Sequence, residues 1–244
     1  MGLFGVTLDT RVFRKDDRLG ATVALGRELA RTGNTIDWLG AGLLLPPCRQ
    51  LSSFPAFPIT TVSGKATLST ISGIREVSTF YNSFEGMQWL CDLPLVVSMD
   101  DGGYTTIRAQ TLRVLSLTAG PDANQPHLRT LSTNRGTYSC KIHDYNEMSL
   151  SETNRHDDFI PAENSRVLMV NLGELKQPTM ASFARFLDPW AGRAILVKEH
   201  APERFHRIAW CEYNTYNARN GLFEEACGMD DVSIGGPDPL CDVH

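Results

Sequence analysis

The sequence predicts a strand-dominated α+β fold, with mostly antiparallel sheets in a sandwich or barrel-like arrangement and two or three short helices. Short runs rich in Thr, Val and Ile recur along the chain, and turn-forming glycines separate them. Apolar side chains recur at helical spacing in only a few segments. A chain of 244 residues, of which 42% are hydrophobic, can bury a core without disulfides.

The N-terminal part is predicted to hold one strand and the longest helix. Residues 3 to 8 have the composition of a strand. Residues 19 to 32 carry apolar side chains along one side, so we expect a helix there, with Asp17 as its N-cap and Gly33 as its stop. Residues 36 to 45 are strongly apolar and end at two prolines, which neither a helix nor a central strand would cross.

The middle of the chain, residues 56 to 118, reads mostly as short strands. One short helix is expected at residues 83 to 91, because Asn82 suits an N-cap and Glu85 follows it three residues later. Residues 100 to 103, Asp-Asp-Gly-Gly, predict a tight turn between two strands, since glycine readily adopts the positive φ that such turns require.

The clearest alternation in the protein lies in TYSCKIH, residues 137 to 143. It places Tyr138, Cys140 and Ile142 on a buried face and His143 on the opposite face, so Cys140 and His143 cannot pair as nucleophile and base. The remaining predicted elements are strands at residues 127–132, 166–172, 193–199 and 206–213, and helices at residues 179–187 and 222–227.

We expect a single domain covering residues 1 to 244. The polar stretch from residue 144 to 165 is too long for a simple connection and is the best candidate for an internal boundary.

Composition and charge narrow the classes of partner. The net charge of −5 makes nucleic acid an improbable partner, since nothing attracts a polyanion to the whole chain. No apolar stretch is long enough to span a membrane, and the N-terminus lacks the pattern of a signal peptide. None of the six cysteines lies in a C-x-x-C pair, so we expect free thiols in a reducing compartment, although an even count also permits disulfides.

The segment HAPERFH, residues 200 to 206, is the main candidate for a metal site. If residues 201 to 205 form a loop between two strands, His200 and His206 are directly opposed at its base and both imidazoles can reach one divalent ion. Glu203 lies at the tip, and a third ligand must come from elsewhere. The competing interpretation is a hairpin whose histidines face water, which also explains the turn-forming Pro202.

A second candidate site combines Asp158 with Glu174 and Lys176. An acid followed by a strand-borne E-x-K is the arrangement of one class of metal-dependent nucleases, in which the carboxylates hold the metal and the lysine positions water. Such a short pattern also arises by chance. Gly173 and the nearby proline indicate that the strand ends before Glu174.

The sequence contains no phosphate-binding loop, no dinucleotide-binding glycine pattern and no G-x-S-x-G elbow. We therefore expect a soluble, non-enzymatic structural or interaction protein without a cofactor. It would be an outer or accessory subunit of a larger assembly, such as a viral or phage particle, with protein partners and a cytoplasmic or virion location. The alternative is a metal-dependent hydrolase of the phosphodiesterase or nuclease type, using His200 and His206, or Asp158, Glu174 and Lys176.

Overall fold

The computed structural model describes residues 7–36, 38–39, 43, 45–57, 59–60, 66–70, 73–76, 88–89, 93–119, 128–144, 166–176, 192–214, 223 and 228–236. A single 3-10 turn (Thr10–Val12) precedes helix α1 (Arg18–Arg31). The strands in these ranges are β1 (Ile59–Thr60), β2 (Ala66–Thr70), β3 (Gly73–Glu76), β4 (Gln88–Trp89), β5 (Leu95–Met99), β6 (Tyr104–Ala119), β7 (Leu128–Thr133), β8 (Gly136–Asp144), β9 (Val167–Lys176), β10 (Gly192–Ala201), β11 (Arg204–Tyr213) and β12 (Met229–Gly235).

Helix α1 lies one residue before the predicted range of 19 to 32, and its cap and stop are those that the sequence predicts. The Asp17 carboxylate accepts a hydrogen bond from the Gly20 backbone N–H at 2.8 Å, which satisfies one of the free N–H groups of the first turn. At the other end, Gly33 has a φ of 68° and the Asn34 N–H donates to the Leu29 carbonyl at 3.0 Å. The predicted N-cap and the predicted stop are both confirmed.

The strands form a small antiparallel sheet, β1–β2–β3, and a nine-stranded sheet. In the larger sheet, the successive antiparallel pairings β6–β7, β7–β8, β8–β11, β11–β10, β10–β9 and β9–β6 return to their starting strand and so form a closed ring. β5 and β12 pair with the first half of β6, and β12 also pairs in parallel with β11. The prediction of a strand-dominated fold with a large antiparallel sheet is therefore confirmed.

Two hydrophobic cores lie on opposite faces of β9, β10 and β11. The first core packs beneath α1 and the segment that follows it, and it includes Leu29 and Phe54. The buried members of the second core all come from the six strands of the ring, so this core fills the ring. Strand β6 serves both cores: Ile107 is buried in the first core and Leu112 in the second. Burial on both faces explains why β9 and β10 read as nearly continuous apolar runs.

In the part of the chain that the structure describes, α1 is the one complete α-helix, and Trp38 and Leu39 are also helical, so the expectation of two or three short helices is not fully met there. The helix predicted at residues 83–91 fails at Gln88 and Trp89, which pair with β9 as β4, while residues 83–87 lie outside the described ranges. Pairing with a sheet outweighs a local capping signal.

Several other predicted features fall outside the described residues. They include the helix at 179–187, the helix at 222–227 apart from Phe223, the first strand except for Thr7 and Leu8, and the 144–165 stretch beyond Asp144. Thr7 and Leu8 themselves are not part of a strand.

Candidate functional site

The hairpin formed by β10 and β11 has a tighter tip than the sequence suggested. Only Pro202 and Glu203 form the turn, instead of the whole stretch from 201 to 205. Glu203 adopts a φ of 57°, and its backbone N–H donates to Glu199 Oε1 at 2.8 Å. Its own carboxylate pairs with Arg166, whose Nη2 lies 2.5 Å from Glu203 Oε2. The acidic residue of HAPERFH is therefore held by an arginine of the neighbouring segment.

His200 and His206 meet, although they are not cross-strand partners. The expectation that they are directly opposed is wrong, because Lys198 lies opposite His206 and a register shift between Glu199 and Ala201 leaves His200 as the extra residue of a bulge. The bulge still brings the two imidazole rings together, with centroids 5.1 Å apart and planes inclined by 17°. The two Nδ1 atoms are 2.9 Å apart and share a hydrogen bond.

Tyr104, at the start of β6, extends this contact into a chain of three side chains. Its hydroxyl oxygen lies 2.7 Å from His200 Nε2. Burial raises the pKa of Tyr104, while the charge of Arg204 lowers it and that of Asp100 raises it further. The phenol is therefore neutral near pH 7 and can donate its proton to His200. The Arg204 guanidinium lies over the phenol ring, 4.3 Å from its centroid, and forms an ion pair with Asp100.

These contacts restrict where protons reside. If Tyr104 donates to His200 Nε2, the single proton of a neutral His200 lies on Nδ1 and is donated to Nδ1 of His206. In the reverse assignment, His200 carries its proton on Nε2 and donates it to Tyr104 Oη, while His206 donates its own Nδ1 proton to His200 Nδ1. Tyr104, His200 and His206 therefore form a continuous path along which one proton can pass; below we call them the Tyr-His-His chain.

The structure shows part of the geometry that the metal prediction requires, and the described residues supply no third ligand. The two imidazoles do converge, but an ion bound by both Nδ1 atoms would replace the hydrogen bond that joins them. Over the ranges that the structure describes, no group of three or more His, Cys, Asp or Glu side chains is arranged to hold a metal ion. A metal site at His200 and His206 stays a prediction.

The second candidate site is described only in part. Glu174 and Lys176 lie on β9, which continues to Lys176, so the expectation that the strand ends before Glu174 is wrong. A bulge where Gly173 and Asn171 face successive residues of β10 lets the strand accommodate its glycine and continue. Asp158 lies outside the described residues, and the three-residue set stays a prediction.

A further polar cluster escaped sequence reasoning. Glu212 is the register partner of both Arg193 and Lys141, so one carboxylate lies between two cations on adjacent strands. Its oxygens are 3.7 Å from Arg193 Nη2 and 3.4 Å from Lys141 Nζ. His143 and Trp210 are another pair of register partners on β8 and β11, and their rings stack with centroids 4.0 Å apart. No local pattern marks this cluster, because its members are brought together only by strand register.

Similarity to known proteins does not indicate a function for this protein. None of the helical segments among the described residues has the length and hydropathy of a membrane span. No family model, no curated protein and no solved structure matches the chain.

Proposed function

We propose that this protein is a non-enzymatic structural subunit that binds other subunits of a larger assembly. The observation that carries this proposal is the exposure of two aliphatic side chains on the open face of β5. Leu95 is 49% exposed and Val97 is 41% exposed, while Val96 between them is buried in the first core. Exposed faces of antiparallel sheets normally carry polar side chains.

The register of the neighbouring strands extends this open face. Leu95 lies beside Arg108 of β6, which pairs with Asp231 of β12. Met229, at the far end of β12, is 56% exposed. Apolar side chains thus flank an exposed ion pair, a composition that suits a protein interface with an apolar centre and polar surroundings. Covering each half-exposed aliphatic side chain would contribute about 1 kcal/mol.

The particular kind of assembly is proposed from the class of fold alone. The assignment to an outer or accessory subunit of a viral or phage particle is an analogy at the level of fold class, since such subunits are often strand-rich. The net charge of −5 favours such partners over nucleic acid. A location in the cytoplasm or the virion accompanies this proposal.

Association of the purified chain with itself provides the test. Sedimentation velocity over a wide concentration range should show reversible assembly, and replacing Leu95 and Val97 together by lysine should weaken it about 10-fold or more. Ile74→Lys is the matched control, because Ile74 is 73% exposed on the separate small sheet. A strict monomer at all concentrations would count against an assembly subunit.

The second candidate function, a metal-dependent hydrolase, is favoured by the meeting of His200 and His206 at 2.9 Å. Metal analysis of the purified protein tests it, with His200→Ala and His206→Ala beside the control His143→Ala. Stoichiometric zinc or manganese that is lost in the first two variants and kept in the control would support the hydrolase. Metal content below one equivalent in all of them would remove it.

A further inference from the structure

We propose that Tyr104 is a nucleophilic acceptor for phosphoryl electrophiles, with His200 as its general base and His206 as the positioning residue. This covalent chemistry is stoichiometric and goes beyond the proposed assembly role. It uses the Tyr-His-His chain, which lies near the β10–β11 turn and contains neither Leu95 nor Val97.

The contacts within the Tyr-His-His chain follow the order that an activated nucleophile requires. A nucleophilic hydroxyl is activated when a base lies within hydrogen-bond reach and a third group orients that base. Tyr104 Oη is 2.7 Å from His200 Nε2, which meets the first condition. His200 Nδ1 is 2.9 Å from His206 Nδ1, which meets the second. The bulge at His200 positions its ring for both contacts.

The phenol is also fixed in place before any reaction. A Cβ atom built on Gly236 would lie 2.4 Å from Tyr104 Oη and 2.2 Å from Tyr104 Cζ, so the ring packs directly against glycine backbone. On its other contacts, the ring stacks beneath Arg204 and its hydroxyl meets His200. Tyr104 is partly buried, so part of its side chain remains in contact with solvent. A fixed nucleophile avoids much of the entropy cost of aligning the reacting atoms.

Nearby cations favour a phosphoryl group over a neutral carbonyl as the electrophile. Arg204 lies over the phenol, and its charge is shared with Asp100. Lys198 is the cross-strand partner of His206, so the two residues lie side by side on adjacent strands. Negative charge that builds up on phosphoryl oxygens in the transition state would be stabilised by these cations.

The step balances as follows for a dialkyl fluorophosphate. Tyr104 Oη forms a bond to phosphorus, the P–F bond breaks, and fluoride leaves with the electron pair. The phenolic proton passes to His200 Nε2, and the resulting imidazolium keeps its hydrogen bond from Nδ1 to His206. Because burial keeps the phenol protonated, the reaction depends on this proton transfer.

The experiment treats the full chain with diisopropyl fluorophosphate and follows the modification of each tyrosine by peptide mass spectrometry. Tyr138, whose hydroxyl donates to the Arg135 carbonyl, is the internal comparator in the same molecules. Tyr104 should be phosphorylated about 100-fold faster than Tyr138. Equal rates at the two tyrosines would overturn the proposal, whatever the assembly state of the protein.

Two variants separate the base from the positioning residue. Glutamine at position 200 can accept the hydrogen bond of Tyr104 but cannot take its proton, so His200→Gln should slow modification about 100-fold. His206→Leu should slow it about 10-fold, whereas His206→Gln should restore the rate, because an amide oxygen can accept the Nδ1–H of His200. Fast modification of Tyr104 that persists in His200→Gln would overturn the assignment of the base.

Discussion

Gly235 offers the sharpest test of how the sheet is built around the Tyr-His-His chain. It pairs with Tyr104 across β12 and β6 and has a φ of 144°, which side chains rarely tolerate. A Cβ atom at this position would lie 2.3 Å from the Gly103 carbonyl oxygen and 3.0 Å from Tyr104 Cα. Both contacts are with backbone, so no side-chain rotation can relieve them.

The loss of unfolding free energy expected for Gly235→Ala has two contributions. An alanine forced into this backbone conformation costs about 2 kcal/mol. Moving β12 away from Gly103 also sacrifices the hydrogen bond from the Gly236 N–H to the Gly103 carbonyl, at 3.3 Å, which contributes about 1 kcal/mol. Gly235→Ala should therefore lower the free energy of unfolding by about 3 kcal/mol, or the melting temperature by about 9 °C for a chain of this size.

Two further glycine-to-alanine variants are the controls for Gly235→Ala in urea unfolding measurements. Gly33 has a φ of 68° and nothing within 4 Å of its built Cβ, so Gly33→Ala isolates backbone strain and should cost about 1 kcal/mol. Gly228 has no neighbour within 4 Å and no positive φ, so Gly228→Ala should change stability by less than about 0.5 kcal/mol. A Gly235→Ala variant as stable as Gly33→Ala would refute the close approach of β12 to Gly103.

The remaining predictions concern buried charge and buried thiols. Glu212→Gln should destabilise the protein by about 2 kcal/mol, because it leaves the buried Arg193 without its carboxylate. Glu203→Gln removes an ion pair whose carboxylate is 76% exposed, so it should cost less than about 1 kcal/mol. Urea unfolding compares the two variants, and equal losses of stability would contradict the burial of the Arg193–Glu212 pair. Burial raises the pKa of Cys140 to about 12 and that of Cys211 well above 9.0, so neither thiol should react with iodoacetamide at pH 8 until urea unfolds the chain. Since the folded-state pKa of Cys140 exceeds its usual 9.0, its stabilising contribution is complete below pH 9 and is lost as the pH rises toward 12. Unfolding measured between pH 8 and pH 11 should therefore show a decline in the free energy of unfolding above pH 9. Rapid alkylation of the native protein would contradict the burial of these thiols.

Local chemistry was sufficient to predict several parts of the fold. Asp17 and Gly33 mark the ends of α1 because capping depends on residues within one turn. Alternation in residues 137 to 143 predicted that Cys140 and Ile142 are buried, because successive side chains of a strand point to opposite faces. The same reasoning failed at Gln88 and Trp89, where pairing with β9 decides the conformation.

In the candidate site, too, some features were predictable from local sequence and others depend on long-range contacts. The sequence indicated that His200 and His206 face each other across a hairpin, and the two rings do meet. Their register could not be predicted, because a bulge inserts one residue without a distinctive sequence signal. Tyr104 lies 96 positions before His200 in the chain, so its hydrogen bond to that histidine has no local signature at all.

The sequence by itself determined the strand-dominated class and the cap and stop of α1, and it allowed the two hairpin histidines to meet. These features depend on side-chain periodicity, capping and turn chemistry, which act over a few residues. Only the tertiary structure decided that six strands close into a ring, that Glu212 lies between Arg193 and Lys141, and that Tyr104 joins the histidine pair. The physical reason is that strand order and register are set by long-range packing of two cores, which no short stretch of sequence contains.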